Sequence, residues 1–334
     1  MRLRIDEARA LARRAALAAG ANEQTATSLA NATVAAERAG HRSVGFAHLP
    51  DYLEGLSSGR IAGSARPEIR FPAPTTIRVD ADAGIAQLGF DLTFDKLVEN
   101  ARQFGVALFL QGNSFTVGEL GYYTRRLAEA GLVCLATSNG PAMVTTPQSR
   151  QPVFGTNPMS FAAPVAGGVP LVIDQASSAT AFVNIRDAAT RGETIPETWA
   201  LDTAGEPTTD SRSALSGMLL AFGGARGANI ALMVEILSAG MTGANWSLDT
   251  PSFQHGAQSP GVGLFIVAID PAILAPDLPD RLTSQIERLS AKGIYIAGRG
   301  ETPDHVCLPP SLLSVIEHYC RFDNPTPSPI STNR

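Results

Sequence analysis

The chain has 334 residues and a mass of 35.0 kDa, enough to bury a large core and to fold as two or three lobes. A hydrophobic content of 44% and a mean hydropathy of +0.05 exclude a disordered or coiled-coil chain. A net charge of −5 without a basic stripe excludes a nucleic-acid binder, and no apolar run is long enough to cross a bilayer.

In chain order, Ile5, Ala8, Leu11, Ala12, Ala15 and Ala18 recur at helical spacing until Gly20. The same stretch carries Asp6 and Glu7, so it reads as part of the fold and not as a presequence. Asn22 can cap a second helix from Glu23 to about Arg38, and two antiparallel helices follow. After the polar corner GHRSVG, a short helix opens at Pro50 and closes at Gly59. Ile69, Phe71, Ile77 and Val79 alternate with polar residues and predict two strands. A helix over 92–104, a buried strand over 106–111, a helix over 120–130 and a strand over 132–138 then alternate as in an α/β lobe.

The segment Pro152–Pro164, PVFGTNPMSFAAP, is punctuated too often by Gly and Pro for a helix and reads as a tight loop between strands. Beyond it come a strand at 171–174, DQASS at 174–178, a helix to Arg191 and a small-residue helix over 228–239. A strongly apolar strand over 262–270 and helices over 281–292 and 311–320 complete the chain. The Pro/Ser/Asn tail that ends it is expected to be disordered. The three regions are a helical 1–66, an α/β region 67–304 for cofactor and substrate, and 305–334.

Three cysteines without metal-ligand spacing suit a reduced, cytoplasmic setting, and none of the five histidines forms a metal-binding pair, so no metal is expected. No G-x-G-x-x-G follows a strand, there is no G-x-x-x-x-G-K-[ST], and no G-x-S-x-G elbow occurs. What remains is a set of polar loops at strand ends: 112–123, TSNGPAMV, FGTNP, DQASS, FGGARG (222–227) and AGRGE (297–301). Converging loops of this kind can bind phosphates through backbone N–H groups without one continuous motif.

Together, the Gly-Asn-Ser…Gly-Tyr-Tyr of 112–123, PVFGTNPMSFAAP, IDQASS, WALDTAGEPTTD and FGGARG…MVEILSAGMTG resemble the type-two malate/L-lactate dehydrogenase family, which includes Δ1-piperideine-2-carboxylate and Δ1-pyrroline-2-carboxylate reductases. The resemblance implies a non-Rossmann α/β fold with a mixed sheet and an N-terminal helical region, and a homodimer. It implies NADPH or NADH as cofactor, with hydride moving to or from the carbon beside a substrate carboxylate. The cofactor positions would be Thr116, Val117, Gly118, Glu119 and Leu120; Asp174, Gln175 and Ala176; Ala225 and Arg226; and Gly298, Arg299, Gly300 and Glu301. Thr156 matches a substrate-contacting threonine. The partner expected is a small molecule, with neither nucleic acid nor membrane.

The catalytic corner departs from the family. Relatives carry Ser-His-Gly-x-x-Arg, where this chain reads Ser43-Val44-Gly45-Phe46-Ala47-His48. Val44 replaces the proton-donating histidine, His48 replaces the carboxylate-gripping arginine, and Asn184 replaces an aspartate that completes a relay with the serine. Two alternatives follow. In one, the enzyme has moved its acid, with Ser43 orienting substrate or water and His48, one turn from Val44 on a helical backbone, donating a proton or contacting the substrate. In the other, the chain binds the cofactor without the usual activity. His41 is a weaker candidate for the moved acid and reads more readily as a solvated corner residue.

Overall fold

The computed structural model describes residues 1–146, 148–300 and 302–321. A short strand, β1 (Arg2–Arg4), passes straight into α1 (Ile5–Ala18), which buries the apolar positions expected of it. Asn22 caps α2 (Glu23–Arg38) by accepting the Thr25 N–H at 2.8 Å. A 3-10 turn (Arg42–Val44) then leads to α3 (Leu49–Ser57), with Pro50 in its first turn. The 3-10 turn stops at Gly45, where ψ is −129°, so Val44 and His48 do not share one helix. That differs from the spacing expected for the corner.

Strands β2 (Glu68–Ala73) and β3 (Thr76–Asp80) pair as an antiparallel hairpin. Helix α4 (Ala86–Phe104) starts well before Leu92. The helix runs through Gly89, where a side chain would collide with Gln111 and Val79 on the adjacent strands, so the glycine serves the close packing of α4 on the sheet. Gly105, at φ +82°, ends it. There follow β4 (Val106–Ser114), α5 (Gly121–Glu129), β5 (Val133–Ser138), β6 (Val144–Thr145), β7 (Met159–Ala163) and β8 (Leu171–Gln175). The Pro152–Pro164 segment is thus a loop only in its first half. Met159–Ala163 pairs on both sides as β7, and Pro158 and Pro164 lie just outside it, where a missing N–H breaks no ladder.

The chain continues through α6 (Phe182–Arg191), β9 (Ala200–Leu201), α7 (Ser211–Leu215) and β10 (Met218–Leu220). Helix α8 (Ala225–Glu235) runs into a π-helical turn at Ile236–Gly240. The last elements are β11 (Val262–Ile269), α9 (Pro271–Leu274), α10 (Leu278–Ser290), β12 (His305–Cys307) and α11 (Pro310–Arg321). The tail expected to be disordered lies outside the described residues.

The main sheet is mixed, with seven strands in the order β2-β3-β4-β11-β5-β7-β8; only β3 and β4 run parallel. Its core is built from Phe90, Leu97, Phe109, Tyr123, Leu264 and Ile266. A three-stranded sheet, β6-β10-β9, packs with α6 around Val144, Ile185 and Leu219. The helical N-terminal core contains Leu11, Leu29, Phe46 and Leu53, and is completed by Val306, Leu308 and Ile316 from the far end of the chain. Strand β12 pairs with β1, which fixes that return.

Candidate active site

The loop 116–120 leaves β4 and enters α5, and it is held from the core side. The Tyr52 hydroxyl donates to the Thr116 carbonyl at 2.9 Å, while Gln87 Nε2 and the Tyr123 hydroxyl both donate to the Val117 carbonyl. Gly118 sits at φ +68°, and a side chain on it would press on Gln87 Nε2 at 3.1 Å. The Thr116 and Val117 carbonyls are therefore occupied, and the loop is tied to the core on that side.

Glu119, on this loop, has a fully buried side chain (0% exposed). Its Oε1 meets His41 Nδ1 at 3.1 Å and accepts from Arg125 at 2.8 Å. Its other oxygen is buried without a hydrogen-bond partner. Asp174, at the end of β8, accepts the Gly121 N–H at 2.7 Å, and its carboxylate lies 3.9 Å from His41 Nδ1. Three remote segments thus converge, and His41, though partly exposed, is more than a solvated corner residue: it joins the 116–120 and 174–176 loops. The ligating atoms of His41, Glu119 and Asp174 lie within 4.8 Å of one another, close enough to share a cation. Sequence spacing could not exclude such a cluster, although Arg125 already supplies a positive charge here.

The cluster shifts its own protonation. The Glu119 hydrogen bond raises the His41 pKa against the opposing effect of burial. Burial pushes Glu119 up, but His41 and Arg125 together hold it below the usual carboxylate range. Burial, opposed by the Gly121 N–H and reinforced by the Glu119 charge, pushes Asp174 up to about 6. A carboxyl whose pKa is higher folded than unfolded favours folding when protonated, and that contribution is lost as pH rises from about 4 through about 6. Asp174→Asn keeps an acceptor for Gly121 and removes the charge. It should raise unfolding stability at pH 8 by on the order of 1–2 kcal/mol, with the gain gone by pH 4. Urea melts at the two pH values measure this; an equal effect at both would refute it.

His48 is held at both ring nitrogens. Nδ1 lies 2.7 Å from Asp51 Oδ2 and Nε2 lies 2.9 Å from the Thr116 hydroxyl, with Tyr52 and Phe253 packed edge-on against the ring. The structure therefore brings two of the candidate residues, His48 and Thr116, into direct contact. Ser43 stands exposed on the 3-10 turn, and Asn184 on α6 donates to Thr180 Oγ1 at 3.0 Å. No hydrogen bond joins Ser43 to Asn184.

The remaining loops gather along β8 and its continuation. The Ser177 N–H donates to the Thr156 carbonyl at 2.8 Å, and Ser177 Oγ donates to the Asn157 carbonyl at 2.7 Å. The Phe222 N–H donates to the Ser177 carbonyl at 3.1 Å, which places Ala225 and Arg226 just beyond. Gly298 lies so close to Val172 that a side chain would meet its carbonyl at 2.5 Å, and Arg299 donates to the Val169 carbonyl. Gln175, Arg226 and Gly300 are exposed and Ala176 is half-buried; Glu301 lies outside the described residues. A cleft of about 690 Å³ walled by Arg9, Glu23, Asp91 and Arg126 shares no residue with these loops.

Asp51, Gln87, Arg125 and Glu235 escaped the sequence analysis. Gln87 gave no signal because its partners, Tyr52 and Val117, are remote in the chain, whereas Asp51 and Arg125 lie only three and six residues from His48 and Glu119, in stretches with no regular pattern to mark the pairing. Glu235 did give one, as the single charge within the small-residue stretch following Gly227.

Comparison with known proteins agrees with this architecture. The malate/L-lactate dehydrogenase family matches residues 3–302. A (2R)-3-sulfolactate dehydrogenase (NADP(+)) from Chromohalobacter salexigens is 35% identical over 94% of this chain and 96% of its own length. A Δ1-pyrroline-2-carboxylate/Δ1-piperideine-2-carboxylate reductase from Pseudomonas syringae is 38% identical over 78% of this chain and 77% of its own. The crystal structure of a Δ1-piperideine-2-carboxylate reductase from the same species superposes with a TM-score of 0.90 at 32% identity, covering 96% of this chain and 99% of that one. Its mixed sheet, its loop motifs and this match over nearly its whole length place the chain in the malate/L-lactate dehydrogenase family.

Proposed function

We propose that the chain is an NAD(P)H-dependent oxidoreductase that reduces a cyclic imine acid of the pyrroline- or piperideine-2-carboxylate type, or a 2-oxo acid. The reading draws on the activities in its relatives' names and on one structural observation. At the start of α8, Gly223 and Gly224 adopt φ +59° and +62° with open space where side chains would stand, no side chain caps the helix, and Arg226 is exposed beside them. Bare N–H groups at a helix start, next to a guanidinium, fit the phosphates of a nicotinamide nucleotide.

The residues that would hold the nucleotide are those of 116–120, 174–176, 225–226 and 298–301. Bound there, the reduced nicotinamide supplies a hydride. The chain's own residues do the rest. Tyr52, Gln87 and Tyr123 tie the 116–120 loop to the core. Asp51 and Thr116 fix the His48 ring, which stands at the position of the relatives' arginine and, with Thr156, would contact the substrate.

Fluorescence titration with NADPH and NADH tests this reading, followed by a panel of cyclic imine acids and 2-oxo acids monitored at the nicotinamide absorbance. Arg226→Ala should weaken nucleotide binding about 10-fold through loss of one charge-assisted contact. Failure of the wild-type chain to bind either nucleotide refutes the reading, and binding without turnover returns the chain to a binding role.

A cytoplasmic homodimer completes the proposal. It is supported by three cysteines that form no disulfide and by the apolar surface of Leu232, Met233, Ile236, Trp246 and Leu248 exposed around the end of α8. Sedimentation showing a monomer would remove the dimer. Among the described residues, no helix is long and apolar enough to cross a membrane.

A further inference from the structure

A hydride adds two electrons to the substrate carbon and leaves the neighbouring nitrogen or oxygen in need of a proton. Two imidazoles stand beside the 116–120 loop. His48 spends both nitrogens on its own chain, at Asp51 and Thr116, and its side chain is only 11% exposed. His41 bonds through Nδ1 alone. Its Nε2 has no partner among the described residues, and its side chain is 40% exposed.

We propose that His41 is the proton donor of this reaction, giving the proton from Nε2 while Glu119 and Asp174 hold its Nδ1 side. The assignment rests on the reductase function proposed above. Glu119 belongs to one candidate cofactor loop and Asp174 to another, so His41 stands where the two meet. Two carboxylates against one guanidinium, that of Arg125, leave a single negative charge for an imidazolium to balance. The other oxygen of the same carboxylate, Oε2, is buried without a partner, so the Glu119 charge is not shared with any further donor on that side. Glu37 of α2 and Arg42 of the 3-10 turn are the other charged groups at this corner, and the Glu37 carboxylate is turned to the Phe46 N–H at 2.9 Å.

The step balances. The substrate carbon accepts hydride from a dihydronicotinamide, and the C=N or C=O π pair moves onto nitrogen or oxygen. That atom takes the Nε2 proton, and the neutral imidazole regains a proton from solvent. Product and oxidised nucleotide are left.

Two measurements test the assignment. First, NMR titration of the nucleotide-free protein should place the His41 ring above the ordinary imidazole range, and Glu119→Gln should lower it. A ring that titrates as a free imidazole and ignores Glu119→Gln overturns the proposal. Second, His41→Gln should lower kcat at saturating NADPH about 10²-fold and remove the alkaline fall of the kcat profile. His41→Ala should regain rate with added imidazole, which a purely structural residue would not do. A wild-type chain that turns substrate over while His41→Gln keeps its rate and profile overturns the proposal and leaves the reductase function standing. Activity that requires added Mn²⁺ and is lost with EDTA would overturn it in favour of a cation held by the same three residues. A wild-type chain that reduces no member of the panel overturns the reductase function itself, and His41 as its acid falls with it.

Discussion

Glu235→Ala should remove about 4 kcal/mol or more of stability, seen as a large drop in the urea midpoint at unchanged m-value. Glu235 is the last residue of α8 and only 5% exposed. Its carboxylate accepts the Asn157 side-chain amide at 2.7 Å, the Ser247 N–H at 2.6 Å and the Ser247 hydroxyl at 2.7 Å. Alanine removes the acceptor shared by these buried donors, at about 1–3 kcal/mol for each one left unpaired; the Asn157 amide keeps only the Ala231 carbonyl and the Ser247 hydroxyl only a long contact to Asn157 Oδ1. One of them matters beyond its own hydrogen bond. Asn157 holds a left-handed backbone, φ +38°, in the middle of FGTNP, and that turn is kept in place through its side chain. Glu235→Gln preserves the shape but turns an amide N–H₂ towards existing donors, so it should fall between alanine and wild type. A loss below about 1 kcal/mol for the alanine variant would show that the network is replaced by solvent.

The contrast between Glu235 and His41 marks how far the sequence carries. Regular elements were legible because their signals are local: the apolar spacing of α1, the Asn22 cap and the apolar run of β11 each act within a few residues. Loop motifs were legible as motifs. Their assembly was not, because it depends on pairs such as Gly121 with Asp174 and Phe222 with Ser177, far apart in the chain. His41 looked like a solvent residue because its neighbours in sequence are polar, and its partner Glu119 is 78 positions away. The helical link expected between Val44 and His48 failed at Gly45 for a local reason, a ψ outside the helical range. The return of β12 onto β1 was invisible, since a three-residue strand carries almost no periodicity.

Gly227→Ala should weaken NADPH binding about 10²-fold while lowering global stability by only about 1–2 kcal/mol. Gly227 lies in the first turn of α8, and a Cβ there would stand 1.8 Å from the Phe222 carbonyl oxygen, 2.8 Å from its carbon and 3.1 Å from its nitrogen. All three are backbone atoms, so no side chain can swing aside. Alanine is the better helix former by about 1 kcal/mol, which opposes the clash. Overpacking against a fixed backbone costs about 1–3 kcal/mol and wins. Relief comes from moving the Phe222–Gly224 turn away from the helix start. That turn is joined to Ser177 by the Phe222 N–H and by the bridge between Ser178 and Ala221. The displacement therefore strikes the Gly223–Gly224 backbone and the 174–178 loop together, whereas the seven-stranded core is untouched. Calorimetric titration with NADPH, alongside a urea melt, separates the two effects. Unchanged nucleotide affinity in a folded Gly227→Ala protein would show that the start of α8 is not where the phosphates sit.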